Sequence, residues 1–176
     1  MLIDSDNTAS DALLRELGGP GAVDAFLTKA NVAGFDIRKS EADLYADAAA
    51  DLTFARGGDN SATPNAVANL LLGLATQEFT HLDSTNELLQ LLSETRTGEH
   101  GLRAGFPADA DFAHKSGTSA TFGGATDATN DAGILTLADG RRVIVVALLG
   151  ESRADLATRE ATLAGVARAV YRAYAP

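Results

Sequence analysis

The chain has 176 residues, 45% of them apolar and 22% charged, a composition suited to a domain with a sizeable core and far from that of a disordered chain. A net charge of −10 argues against nucleic-acid binding, which needs clustered Lys and Arg, and the lack of cysteine excludes disulfides, thiol nucleophiles and thiolate metal sites. No apolar run approaches the about 20 residues of a membrane-spanning helix, and Met1-Leu2-Ile3-Asp4 lacks the basic and apolar regions of a signal peptide.

Ala9, Ala12, Leu13 and Leu17 recur at helical spacing and predict a helix over residues 8–17, stopped by Gly18-Gly19-Pro20. Val23, Phe26, Leu27 and Ala30 predict a second over 22–30. Residues 35–60, rich in Ala and Asp with Gly57-Gly58 near the end, read as a long Ω-type loop holding at most one short helical piece. Thr63-Pro64 places a capping hydroxyl before a proline and opens a helix through Leu74. Ser84 and Glu87 have the spacing of a capping box, predicting a leucine-rich helix that ends near Thr97-Gly98.

The hydrophobic period then changes. Residues 111–122, 132–137 and 142–149 read as strands, the last two joined at Ala138-Asp139-Gly140-Arg141, a hairpin signal. Residues 153–173 read as a closing helix with Leu156, Leu163, Val166, Ala167, Val170 and Tyr174 on one side. Helices followed by antiparallel strands and a helix make the class α+β, with a helical part over about 1–110 and a sheet-plus-helix part over 111–176 of one domain.

Lys115-Ser116-Gly117-Thr118 is an unusual way to build a buried strand and a suitable one to line an anion-binding cleft. Ser-Asp-Asn and Lys-Thr-Gly belong, with Ser-x-x-Lys, to the signature of class A β-lactamases and penicillin-binding proteins. The chain holds Ser5-Asp6-Asn7 and, with Ser in the middle position, Lys115-Ser116-Gly117. Their order and separation resemble class A β-lactamases, as do Ala62-Thr63-Pro64, Thr97-Gly98 before Leu102-Arg103-Ala104-Gly105-Phe106-Pro107, and Thr129-Asn130-Asp131. The resemblance covers the whole chain but only the last two thirds of the family's fold.

The resemblance implies that Ser5 relays a proton to the β-lactam nitrogen and that Asn7 binds the substrate's acylamino carbonyl. Lys115 would keep the cleft positive and bond Ser5. Ser116 and Thr118 would contact the substrate carboxylate, and the backbone N–H of Thr118, beyond Gly117, would be an oxyanion donor. Glu41, 36 residues after Ser5, stands where the family keeps its general base. Around it the chain departs from the family. Tyr45 replaces an asparagine, Lys39 an arginine and Asn60 its aspartate partner, so the ion pair that normally pins the loop is expected to be lost. Asp11 replaces another asparagine, and two neighbouring carboxylates would raise a pKa. Gly101 and Thr129 stand where relatives carry a carboxylate-binding arginine. His81, His100 and His114 show no metal-ligand spacing, and no metal or cofactor is implied.

The nucleophile of such an enzyme is the serine of Ser-x-x-Lys, one helical turn from the lysine that takes its proton. Phe26, Asp36 and Phe112 stand three residues before Lys29, Lys39 and Lys115, so no such pair exists in this chain. A complementary N-terminal segment or chain is therefore expected to supply it. Without that segment the sheet would expose an edge, the helices around Leu13, Leu70 and Leu89 would lack the element they wrap, and stability would be poor. The expected function is a class A-like serine β-lactamase, periplasmic or secreted by resemblance, acting on a β-lactam or peptidoglycan-like small molecule. The alternatives are a penicillin-binding, DD-peptidase-like hydrolase and a non-catalytic ligand-binding module of the same fold.

Overall fold

In a computed structural model that describes residues 1–50 and 60–175, one strand acts as the hub. This is β5 (Ala125–Thr136), which follows β1 (Phe35–Ile37), β2 (Asn60–Ala62), β3 (Asp111–Thr118) and β4 (Thr121–Phe122) in chain order and precedes β6 (Arg142–Ser152). β3 pairs antiparallel along one side of it, from Asp111↔Thr136 to Thr118↔Thr129, and β6 along the other, from Thr136↔Arg142 to Thr126↔Ser152. The expected strand over 111–122 is interrupted at Ser119-Ala120. The short β4 folds onto the start of β5 through Gly123-Gly124, both at positive φ. That hairpin extends β5 seven residues before the expected start at Ala132, because its early residues find partners on both sides. The sheet therefore has four strands rather than three, and β1 and β2 form a separate antiparallel pair.

Register decides what each side of the sheet presents, because side chains alternate along a strand and paired residues share a face. Phe112, His114, Ser116 and Thr118 share one face with Leu135, Gly133, Asp131 and Thr129, while Ala113, Lys115 and Gly117 share the other with Ile134, Ala132 and Asn130. The first face packs against the closing helix α6 (Leu156–Tyr174) and a 3₁₀ turn at Leu102–Gly105. The core cluster lies there: Leu102, Phe106, Phe112, Leu135, Leu137, Val145, Leu163 and Ala167, with Phe106 and Phe112 edge-on at 4.8 Å. α6 starts at Leu156, capped by Asp155, and its inward residues are Arg159, Leu163, Ala164 and Ala167. Leu156, Val166 and Tyr174, expected on the apolar side, are exposed, since the buried stripe follows a four-residue step from Arg159.

The other face carries the helical part: α1 (Asn7–Glu16), α2 (Pro20–Lys29), α3 (Glu41–Ala50), α4 (Pro64–Ala75) and α5 (Leu82–Ser93). α4 lies against β6 and β5, and α5 against β3. α5 does not begin with the expected capping box. His81 is its N-cap, Ser84 falls inside the first turn, and the helix ends at Ser93 because Thr95 and Arg96 bond away from it, to His114 O and Ile3 O. Residues 35–50 hold more regular structure than one short helical piece: β1 pairs with β2 and is followed by a ten-residue helix; Gly57-Gly58 lies outside the described residues.

Burial is lopsided between the two parts. No residue of α1 is buried, and Leu13, Leu17, Phe26, Leu72 and Leu82 are exposed, whereas the core cluster draws nothing from α1–α5. β6 pairs with β5 and with no other described strand. Leu135→Ala is expected to destabilise the chain by about 2–5 kcal/mol in urea unfolding, and Leu13→Ala to change it by less than about 0.5 kcal/mol.

Candidate functional site

The triplet at the start of the chain divides its work among three side chains. Asp6 is the N-cap of α1, its carboxylate accepting the Ala9 N–H at 2.8 Å. Just before it, Ser5 has φ +54°, a left-handed conformation that non-glycine residues adopt where their surroundings impose it. The preceding residues are tied to the end of α5 by Arg96, which donates its N–H to Ile3 O and pairs with Asp4 at 3.2 Å. So held, Ser5 Oγ accepts a hydrogen bond from Lys115 Nζ at 2.8 Å, joining residues 110 apart in sequence.

Lys115 projects from the helical face of β3, half-buried, and its ammonium also donates to Ser116 O at 2.6 Å. Loss of water pushes its pKa below the ordinary lysine value, and the negative charges of Asp131 and then Glu41 partly oppose that. Ser116 turns to the other face and donates its hydroxyl to Thr97 Oγ1 at 3.1 Å, so donating to a ligand requires it to rotate. Gly98 permits this approach: a Cβ there would stand 2.6 Å from Ser116 Cβ.

The backbone of β3 adds a donor. Antiparallel pairs alternate between bonded and unbonded residues. Ser119 N–H bonds Ala128 O, which makes Gly117 and Lys115 the inward-bonding residues and turns the backbone of Thr118, Ser116 and His114 away from β5. The outward carbonyls of His114 and Ser116 are indeed taken by Thr95 and Lys115. By the same parity the Thr118 N–H points off the free edge of β3, beside Ser5 and Lys115.

α3 brings Glu41 to the third side. Ser40 and Asp43 cap its start reciprocally, Ser40 N–H donating to Asp43 Oδ2 at 3.3 Å and Asp43 N–H to Ser40 Oγ at 3.1 Å. Asp11 does not confront Glu41 as a second bare carboxylate. Its two oxygens accept the N–H groups of Glu41 and Ala42 at 2.8 and 2.9 Å, anchoring the helix N-terminus. One turn earlier on α1, Asn7 donates its amide to Tyr45 Oη at 3.3 Å. Residues four apart on α1 thus grip residues four apart on α3. Asn60 ties this region at its base: its amide accepts from the Arg38 and Lys39 N–H groups and donates to Lys39 O.

Behind the cleft lies a pair that single-residue reasoning missed. His114 is not isolated: its Nδ1 bonds Asp131 Oδ1 at 2.8 Å, both side chains are buried, and the ring stacks on Phe112 at 4.7 Å. Asp131 Oδ2 accepts the Leu102 N–H at 3.0 Å, and a Cβ at Gly101 would meet that oxygen at 2.8 Å. An arginine at position 101 would have to displace the Asp131 carboxylate. The missed signals were spatial for His114, which needed the β3–β5 register, and local for α3, where Ser40-Glu41-Ala42-Asp43 has capping-box spacing.

Two outcomes are expected. Asp11→Ala should loosen the start of α3 by about 1 kcal/mol, seen as faster amide exchange at Glu41 and Ala42 while the α6 amides are unchanged. For Lys115, the unfolded chain holds the proton to higher pH than the folded one. Stability of the wild type should therefore rise, relative to Lys115→Met, in the alkaline window between the depressed value and about 10.4, and the difference should be flat below it in pH-dependent urea unfolding.

A sequence profile for the β-lactamase enzyme family matches residues 1–174. Extended-spectrum β-lactamase PER-1 of Pseudomonas aeruginosa is 32% identical over 170 residues, 96% of this chain and 53% of that protein. β-Lactamase VEB-1 of the same organism is 28% identical, over 97% of this chain and 56% of that protein. Among solved structures, TLA-3 extended-spectrum β-lactamase superposes with a TM-score of 0.90 at 30% identity, over 98% of this chain and 61% of that one. A β-lactamase from Chitinophaga pinensis superposes with 0.88 at 34%, over 96% and 60%. The chain spans about half the length of the curated relatives it matches. A family profile along essentially the whole chain, relatives above 30% identity and a superposable α+β fold agree: the chain belongs to the β-lactamase family.

Proposed function

We propose that this chain forms the substrate-anchoring and proton-handling part of a class A-type serine β-lactamase, with the Ser-x-x-Lys nucleophile contributed by a complementary segment or chain. The observation that carries the reading is the 2.8 Å bond from Lys115 Nζ to Ser5 Oγ, which polarises a hydroxyl beside the outward Thr118 N–H. In this mechanism the lysine of Ser-x-x-Lys takes the proton of the nucleophilic serine as its oxygen adds to the lactam carbonyl, and the Thr118 N–H stabilises the oxyanion. As the C–N bond breaks, Ser5 gives its proton to the departing nitrogen and is reprotonated by that same lysine. Glu41 then takes a proton from water, whose oxygen adds to the acyl ester; the C–O bond to the serine breaks, the proton returns to the serine, and the product acid leaves.

What favours a complementary segment is the exposure of Leu13, Leu17 and Leu72 on α1, its C-cap and α4, together with a side of β6 that pairs with no described strand. The similarity to β-lactamases favours a location in the periplasm or outside the cell. Among the described residues no helix is long and apolar enough to cross a membrane.

A second reading, a penicillin-binding hydrolase that acylates and releases slowly, is favoured by Tyr45, whose hydroxyl occupies the Asn7 amide one turn from Glu41. Nitrocefin turnover by the full-length protein is expected, with Glu41→Gln lowering kcat by about 10²–10⁴-fold and accumulating a covalent penicillin adduct detectable by mass. A stable adduct in the unmodified protein, without turnover, selects the second reading. Neither adduct nor turnover would overturn both, leaving a non-catalytic module.

A further inference from the structure

A cavity of about 300 Å³ lies where α5 ends against β3, and neither Ser5, Lys115 nor Glu41 lines it. His114 does. Its side chain is 4% exposed, and Nδ1 bonds Asp131 Oδ1 at 2.8 Å. The carboxylate accepts there, so Nδ1 carries the proton and Nε2 keeps a bare lone pair. Nε2 has no hydrogen-bond partner among the described residues, and it is not sealed off: the cavity is its outlet.

The other polar groups of the wall are mostly acceptors too. Ser93 gives its hydroxyl hydrogen to Gln90 O at 2.8 Å and Thr95 gives its own to His114 O at 2.9 Å, which leaves oxygen lone pairs on both. Glu99 and Asp111 add two exposed carboxylates. Against them stands Arg103, whose guanidinium is engaged by Pro107 O at 3.1 Å and by Ala108 O. One positive charge facing two negative ones leaves the cavity anionic. Among the lining hydroxyls only that of Thr97, which accepts from Ser116, has a hydrogen to offer. A wall made of acceptors fits a ligand made of donors.

We infer that this cavity binds a small organic cation of the amidinium or guanidinium type, which donates one N–H to His114 Nε2 and others to the Glu99 and Asp111 carboxylates. A planar cation suits the site because its N–H groups fan out in one plane, and the stacked rings of Phe112 and His114, 4.7 Å apart, give it a flat wall. A metal ion does not suit it: among the described residues no group of three His, Asp or Glu side chains is placed to hold one. Asp131 also lines the cavity of the cleft, with Ser5 and Thr129, so the His114–Asp131 pair runs from one cavity to the other. Nothing in this second site depends on β-lactam turnover.

Benzamidine titrated into the ¹⁵N-labelled full-length protein at mildly alkaline pH tests the site. Saturable shifts are expected at the Thr95, Glu99, Asp111 and His114 amides. Benzamide, the neutral amide of the same shape, should bind about tenfold more weakly, the difference between charged and neutral hydrogen bonds. Glu99→Gln and Asp111→Asn should each weaken benzamidine binding about two- to fivefold, as the loss of an exposed ion pair does. Long-range ¹H–¹⁵N spectra of the free protein should show His114 protonated at Nδ1 and bare at Nε2, and the Nε2 resonance should move as benzamidine saturates, which a merely structural histidine would not do. A proton on Nε2 in the free protein, no saturable shift, or equal affinity for benzamide overturns the site. Shifts centred on Ser5 and Thr118 assign the cation to the cleft and overturn it as well. Both carboxylate variants binding as wild type does overturns the part given to Glu99 and Asp111.

Discussion

The pairing of β3 with β5 is the constraint on which the site depends. A slip of one residue would turn Lys115 to the α6 side and swing Ser116 and Thr118 towards the helices. It would also exchange which backbone groups of β3 face β5 and which face the open edge. The lysine that reaches Ser5, the N–H of Thr118 and the hydroxyls around Thr129 are three consequences of one register. Several contacts lock it: Phe112 opposite Leu135 in the core, His114 bonded to Asp131, and Ser119 bonded to Ala128 on both its N–H and its side chain. Apolar burial supplies most of the energy, and the buried polar pair penalises alternatives in which either partner would be orphaned.

The two parts of the chain are held by different physics. Around α6 the sheet has a conventional core, dense in Leu, Phe and Val. The helical part has little buried apolar surface, and its elements are positioned by side chains that satisfy backbone groups: Asp6 and Asp11 at helix N-termini, Ser40 with Asp43, and Asn60 across the base of the β1–β2 pair. Directional bonds of this kind place Glu41 and Tyr45 well while contributing modestly to global stability. An arrangement that is accurate but weakly buried gains stability from whatever covers its apolar faces.

Electrostatics follows the same division of labour. Lys115 sits between a hydroxyl it polarises and two carboxylates, Asp131 and Glu41, on opposite sides of the strand. Arg159 stands behind Thr129 in the way Lys115 stands behind Ser5. In both cases a cation stands behind a neutral hydroxyl that lines the cavity of the cleft.

Much of this was legible in the residues themselves. Helical periodicity located α1, α2 and α4, Asp139-Gly140 located the β5–β6 turn, and the two polar triplets identified the cleft's walls. These are local signals, set by backbone propensity and spacing within a few residues. What stayed hidden were relations between distant residues: His114 with Asp131, Asn7 with Tyr45, Asp11 with the Glu41 N–H, and Arg159 with Thr129. Asp11 read as a threat to Glu41 because sequence position conveys proximity but not the direction a carboxylate faces. By itself the sequence determined the main helices, the β5–β6 turn and the residues proposed to carry the chemistry. Tertiary structure alone decided which polar groups satisfy one another, because hydrogen bonding depends on orientation to a few tenths of an ångström and no spacing along a chain specifies that.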